Sequence, residues 1–202
     1  MIKFFTNREV SKRLDINLSK WKRWSREFLP PDPLGGMQSG FARQYSPDGA
    51  FTVYFAGHLV ADLKFTIPEA KQIIKDLHEW FAEKGFYFDS GNRVTAAQGV
   101  NPLIKKYIIF IEREKDPGNT VRFLYTIRGV ISNEPVIYNG VEIMKELYME
   151  TSIGLPPKKK STIDMNIVKV LYITDLLNTF IVRLNLNPSR YSALWSINSN
   201  RS

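Results

Sequence analysis

The chain has 202 residues, 44% hydrophobic and 13% aromatic, which excludes a disordered polar chain and suffices for one large or two small domains. Its 28 Lys and Arg outweigh 20 Asp and Glu, and the net charge of +8 favours polyanions such as nucleic acid or an anionic membrane surface. The absence of cysteine excludes disulfides, thiolate metal sites and cysteine nucleophiles. Without a run of 18 apolar residues or the layout of a signal peptide, we expect a cytoplasmic protein with no membrane contact.

A first short helix is predicted immediately after Thr6. The sequence Thr-Asn-Arg-Glu at 6–9 fits a capping box, in which the hydroxyl and the carboxylate satisfy each other's backbone amides. Val10 and Leu14 then recur at the i, i+4 spacing of one helix face. The polar break Asp-Ile-Asn at 15–17 ends the pattern, so the first helix is expected to be short.

A second helix is predicted to begin at Asn17 or Ser19, either of which can cap it. Trp21, Trp24 and Phe28 lie at i, i+3, i+7 and form one face, and the Leu-Pro-Pro that follows stops the helix. Its cationic side chains fall elsewhere on the surface: Lys20, Lys22, Arg23 and Arg26. A compact helix-turn-helix with a basic second helix is the form that many DNA-binding proteins take, because such a helix fits the major groove.

The next elements are a wing and two capped helices. Residues 32–45 carry three glycines and a proline before a Phe- and Tyr-bearing segment, which suits a two-stranded ribbon. Ser-Pro-Asp at 46–48 combines a hydroxyl cap, a proline at the first helical position and an acid in the first turn. Thr-Ile-Pro-Glu at 66–69 is a second capping box, and the helix it begins is predicted to end at Gly85.

This order of features resembles the winged-helix DNA-binding domain of the MerR family over residues 4–84. The resemblance rests on the helix pair, the Leu-Pro-Pro, the wing Gly-Phe-Ala-Arg-Gln-Tyr-Ser, the capped helix after it and the Phe-Thr-Ile-Pro-Glu-Ala that opens the next. Arg23-Trp24 matches a pair that the family's second helix often carries. Two features depart from the pattern: Ala42 adds a residue before Arg43, and the segment from Trp24 to Pro30 is one residue short. The resemblance implies a second helix in the major groove and a wing on the DNA backbone.

The remainder of the chain is predicted to be a small α+β domain. Strand formers on both sides of the turn Asp-Pro-Gly-Asn at 116–119 predict an antiparallel hairpin. Further expected elements are strands at 106–114, 121–130 and 163–172, and helices at 142–150 and 174–184. The fold class is therefore α+β, a mostly helical winged domain with a small β wing followed by an α+β domain. The expected division is 1–85 for the winged domain, 86–102 for a connection, 103–185 for a dimerisation or effector domain, and 186–202 for a polar tail.

The candidate DNA contacts lie on the helix pair and the wing. Lys and Arg donate to guanine edges or phosphate oxygens, although a charged helix face is often only solvated. Trp24 is included because the family residue it matches can lie against the DNA backbone, whereas Trp21 and Phe28 are expected to pack. The complete set is Ser19, Lys20, Lys22, Arg23, Trp24 and Arg26 on the second helix, Arg43 on the wing, and Arg8, Lys12 and Arg13 on the first helix.

The sequence thus predicts a sequence-specific double-stranded DNA-binding protein, most simply a MerR-like transcriptional regulator. Two alternatives stay open: an excisionase-like or architectural DNA-binding factor of a phage or mobile element, and a protein-interaction module without DNA binding. A homodimer through the C-terminal half is expected, and whether a small molecule or a protein acts as an effector stays open. We expect no enzyme, cofactor or metal site, because none of the nucleotide-binding or metalloprotease motifs occurs and both histidines lie in predicted helices.

Overall fold

The computed structural model describes residues 4–31, 43–87, 101, 103–115, 121–154 and 167–186. The fold is α+β with an antiparallel sheet, and the chain divides into two compact units. Unit 1 comprises residues 1–100 and 176–196, and unit 2 comprises residues 101–175 and 197–202. The elements in chain order are β1 (Phe5–Thr6), α1 (Asn7–Leu14), α2 (Leu18–Phe28), β2 (Gln44–Tyr45), α3 (Pro47–Ala61), α4 (Ile67–Glu83), β3 (Lys106–Lys115), β4 (Val121–Tyr138), β5 (Val141–Ile153), β6 (Val168–Leu171) and α5 (Ile173–Leu184). Within the described ranges, no helix is long and apolar enough to cross a membrane.

The two short helices of unit 1 begin and end where their capping residues predict. Thr6 Oγ1 accepts the amide of Glu9 at 3.3 Å, and the Glu9 carboxylate accepts the amide of Thr6 at 2.8 Å. Asp15, with φ of 57°, ends α1 in the left-handed conformation. Asn17 Oδ1 then accepts two amides of the first turn of α2. Local hydrogen bonds therefore set the turn between the helices.

The later helices of unit 1 confirm their predicted starts. Ser46 Oγ accepts the amide of Gly49 at the beginning of α3, and Thr66 and Glu69 form a second complete capping box at the beginning of α4. Beyond α4, Gly85 takes the positive φ of 73° that favours glycine after a helix.

The strand at the base of the predicted wing pairs with the N-terminal strand. Phe5 lies opposite Tyr45 and Thr6 opposite Gln44 in an antiparallel pair. The partner strand of β2 is therefore β1, which lies outside the ribbon predicted for residues 32–45. The remainder of the predicted ribbon, residues 32–42, lies outside the described residues, as do 88–100 of the predicted connection and most of the predicted tail.

Unit 2 is built on one antiparallel sheet with the strand order β5-β4-β3-β6. The predicted hairpin is confirmed: Ile109 lies opposite Ile127, and Ile111 lies opposite Tyr125. These four side chains share one face and are at most 2% exposed, because residues directly opposite in a ladder project to the same side. β6 extends this face with Leu171, opposite Ile109. The turn at 116–119 lies outside the described residues.

The predicted helix at 142–150 is wrong, since this segment is the strand β5. β4 runs on to Tyr138, and β5 returns antiparallel beside it from Val141. The two connecting residues, Asn139 and Gly140, have φ of 50° and 77°. Positive φ at both central positions is the hallmark of a type I′ turn, whose twist matches that of the flanking strands. Asn-Gly between β-branched and aromatic residues was the overlooked signal.

Helix α5 crosses the boundary of the two units at Leu176, whereas the sequence-based division ran from 103 to 185 without a break. Within unit 1, the Phe180 ring meets the Phe51 ring edge-on at 5.2 Å and stacks on Tyr54 at 5.6 Å. Phe180 is fully buried. An aromatic contact between segments more than a hundred residues apart leaves no local sequence signal.

Candidate nucleic-acid interface

Helix α2 has one aromatic and one cationic side. Trp21 is fully buried and Trp24 is 7% exposed, so the tryptophans fix the inner face of the helix. The residues on the outer side are all exposed: Ser19, Lys20, Lys22, Arg23 and Arg26. The helix therefore presents cations to solvent because its apolar residues, at i and i+3, are anchored in the core.

The cations of α2 are not neutralised within the described part of the chain. No carboxylate of that part lies within ion-pair distance of Lys22, Arg23 or Arg26. The one acid of the helix, Glu27, bonds instead to Lys71 of α4 at 3.2 Å. This side of unit 1 can therefore attract an anion at long range and donate hydrogen bonds to it at contact.

A cleft of about 530 Å³ opens beside α2. Three of the predicted DNA contacts meet at it, Lys22 and Arg26 from α2 and Arg43 from the segment before β2. The complete lining is Asn7, Lys22, Ser25, Arg26, Leu29, Pro31, Arg43 and Tyr45. Three cationic side chains around one cleft suit a phosphate or another compact anion.

A hydrogen-bond network centred on the buried Tyr45 holds α2 against β2 beside this cleft. The Tyr45 hydroxyl lies 2.8 Å from Ser25 Oγ and donates to Asn7 Oδ1 at 2.5 Å. The Tyr45 ring also meets Trp21 edge-on at 5.5 Å. Tyr45, Ser25 and Asn7 thus fix α1, α2 and β2 together. Sequence reasoning missed this role, although Tyr45 lies in the quoted wing motif.

Arg43 is held by the protein as well as lining the cleft. Its Nη2 donates to the Pro30 carbonyl at 2.7 Å, and its guanidinium lies 5.8 Å from the centroid of the Tyr45 ring. The remaining N–H groups are available to an anion, because a guanidinium carries five donors. Arg43 is therefore oriented before any ligand arrives.

Trp24 occupies a position that revises its expected role. Its ring packs against Gly57 of α3, where an added β-carbon would lie 2.3 Å from Cζ3. Lys20 Nζ lies over the ring at 4.8 Å from the centroid. A ring that is buried against α3 and covered by a lysine has little surface for DNA, so we assign Trp24 a packing role.

The cations of α1 separate into two kinds. Arg8 and Lys12 are exposed and stay candidates for outer phosphate contacts. Arg13 instead donates to the carbonyl of Leu184 at 2.9 Å, and the guanidinium of Arg183 donates to the carbonyl of Leu14 at 2.7 Å. This reciprocal pair ties the end of α1 to the end of α5. Arg13 therefore has a structural partner, which sequence reasoning did not foresee.

The arrangement offers cations and hydrogen-bond donors to an anionic ligand. Within the described ranges, no three His, Asp or Glu side chains converge as metal ligands. Comparison with known proteins gives no assignment: no protein-family model matches the chain, and no curated protein is significantly similar to it.

Proposed function

We propose that unit 1 binds double-stranded DNA sequence-specifically and that the protein is a MerR-like transcriptional regulator. The observation that carries the proposal is the set of exposed cations on α2, Lys20, Lys22, Arg23 and Arg26, on a helix whose two tryptophans are buried. An α-helix of about 10–12 Å diameter fits a major groove about 12 Å wide. The proposal includes the cytoplasmic location expected from the sequence.

The position of each side chain determines whether it would contact a base edge or a phosphate. Ser19, Lys20 and Arg23 lie on the first turns of α2 and would face base edges, where arginine donates two hydrogen bonds to guanine. Lys22, Arg26 and Arg43 line the cleft and would hold a backbone phosphate. Arg8 and Lys12 would contact phosphates farther out. The Tyr45–Ser25–Asn7 network would keep α2 in register with these phosphate contacts.

Selection from a randomised duplex pool at two salt concentrations tests the proposal. The full chain should enrich a defined motif, and its affinity should fall with salt by a logarithmic slope of roughly 0.9 per phosphate contact. Arg23→Ala should weaken binding about 5- to 150-fold, which corresponds to the ~1–3 kcal/mol of a bidentate base contact. The matched control is Lys75→Ala, which removes an exposed cation of α4 and should bind within about twofold of the parent.

The other outcomes decide between the alternatives. Salt-sensitive binding without an enriched motif would point to an architectural factor, because backbone contacts carry no sequence information. No binding at low salt would leave the protein-interaction reading. Equal losses for Arg23→Ala and Lys75→Ala would overturn the assignment of α2 to the groove.

A further inference from the structure

Beyond the main sheet of unit 2, β4 and β5 continue as a two-stranded ribbon. We call the segment Ser132–Leu147 the arm. Its register pairs Ser132 with Leu147 at the base and Tyr138 with Val141 at the tip, after a bulge between Val130 and Ser132. β3 ends its pairing with β4 at Val130, so the arm has no third strand among the described residues. A two-stranded ribbon is marginally stable in water by itself.

One face of the arm is richer in apolar side chains than the other. Because directly opposite residues project to the same side, the ladder places Val136 with Ile143, and Tyr138 with Val141, on the face that also carries Leu147. Four of these apolar side chains are 42% to 64% exposed: Ile143, Leu147, Val141 and Tyr138. We call these five residues the apolar face. A row of large side chains left in water on a ribbon is an interaction surface.

The other face of the arm mixes acidic and apolar side chains. It carries Glu142 and Glu146 on β5, together with Met144, Ile137 and Pro135. Arg128 fixes its base, with its guanidinium 4.0 Å from the centroid of the Tyr148 ring and bonded to Glu150 at 2.9 Å. Residues 132–147 contain three glutamates and one lysine. The arm therefore attracts nucleic acid less than the cationic α2 does.

We propose that the apolar face packs on the same face of a second copy of this chain. One anion and one cation lie on the same side of the arm as the apolar face. They are Glu134 and Lys145, directly opposite each other in the ladder. Consider a two-fold axis that runs parallel to the strands and lies midway between the two ribbons. This axis sets each Lys145 over the Glu134 of the partner. The same axis sets a larger side chain over a smaller one at three positions: Ile143 over Val136, Leu147 over Ser132 and Tyr138 over Val141. The surface is complementary to itself.

A second ribbon would cover the apolar face of the arm. Two ribbons packed face to face at a separation of about 10 Å form a small sandwich, which supplies the cover that each ribbon lacks alone.

Sedimentation equilibrium of the full chain tests whether the apolar face forms the dimer interface. Two variants place the same charge at adjacent positions of β5 that lie on opposite faces of the arm. The parent should be a dimer, and Ile143→Lys, which places a cation on the apolar face beside Lys145, should weaken the dimer at least tenfold. Met144→Lys, at the next position of β5 and on the opposite face of the arm, should leave the dimer unchanged. Circular dichroism of each variant establishes that it is folded. A monomeric parent, or a dimer that survives Ile143→Lys in a folded chain, overturns the proposal.

A mixing experiment tests the two-fold contact independently. Lys145→Glu places two acids at positions 134 and 145, and Glu134→Lys places two bases there. Each variant alone should therefore dimerise at least tenfold more weakly than the parent, because like charges would meet across the interface. An equal mixture should form the heterodimer in preference to either homodimer, measured by native mass spectrometry. A statistical distribution of the three dimers would show that the two residues do not meet across the interface.

Discussion

At the scale of single residues, the absence of a side chain at Gly57 fixes where Trp24 lies. Gly57 is buried in α3, and the Trp24 ring fills the space that a β-carbon would need. A helical glycine costs about 1 kcal/mol relative to alanine, and here the tryptophan contact offsets that cost. The inner face of α2 is therefore defined by a contact with α3. That contact in turn decides which residues of α2 point outward.

Gly57→Ala should destabilise unit 1 by about 1–3 kcal/mol, because the ring must move away from its packed position. Gly49→Ala in the same helix is the matched control, since its β-carbon would meet nothing closer than 3.6 Å. We expect the control to be neutral or slightly stabilising. Urea unfolding of both variants measures the difference, and equal midpoints would contradict the account of Trp24.

At the scale of elements, the type I′ turn at Asn139 and Gly140 determines the register of the arm. A two-residue loop fixes which residues face each other, and with period 2 a shift by one residue would move the apolar face to the other side. The turn therefore decides that Ile143 and Leu147 share a face with Val136, while the glutamates of β5 fall on the opposite side.

Gly140→Ala should destabilise the hairpin by about 1 kcal/mol, because alanine tolerates the positive φ poorly. An added β-carbon meets nothing within 4 Å, so the loss measures backbone conformation and not a clash. Gly140→Asn should cost less, since asparagine visits this conformation more readily. Thermal unfolding of the two variants distinguishes them, and a larger loss for asparagine would contradict the turn assignment.

At the scale of the whole molecule, the cationic helix pair and the acidic arm lie in different units. Residues 7–26 of unit 1 hold seven Lys and Arg against two acids, whereas the arm of unit 2 is acidic and apolar. Each unit therefore suits a different partner, DNA for the first and a second copy for the arm, under the two proposals above.

Dimerisation through the arm would give each complex two DNA-binding units. We expect the selected DNA motif to contain two half-sites, as a palindrome or a direct repeat. Ile143→Lys should retain binding to one half-site and lose the tighter binding to the pair, by at least tenfold, because the second contact is no longer intramolecular. Electrophoretic mobility shifts on single and paired half-sites measure this. Equal affinity of parent and variant for the paired site would show that dimerisation through the arm does not contribute to DNA binding.

Much of unit 1 was predictable because its signals are local. The capping boxes at Thr6 and Thr66, the Asn17 cap and the proline after Ser46 each act within four residues, and the structure confirms the helices they begin. The exposed cations of α2 followed from the same periodicity. The role of DNA contact, in contrast, stays a prediction for every one of them.

The missed features have two physical causes. The segment at 142–150 has helix-forming residues, but the Asn-Gly turn and pairing with β4 overrode that propensity. The burial of Trp24, the partner of Arg13 and the Tyr45 network depend on residues far apart in the chain, which leave no local pattern.

The sequence by itself determined the positions of the helices in unit 1, the first hairpin of unit 2 and the cationic character of α2. Only the tertiary structure decided that β2 pairs with β1, that α5 joins unit 1 from Leu176 onward, and that a long arm exposes an apolar face. The physical reason is range: caps and periodicity act within a few residues, whereas strand pairing and burial depend on which distant segments meet.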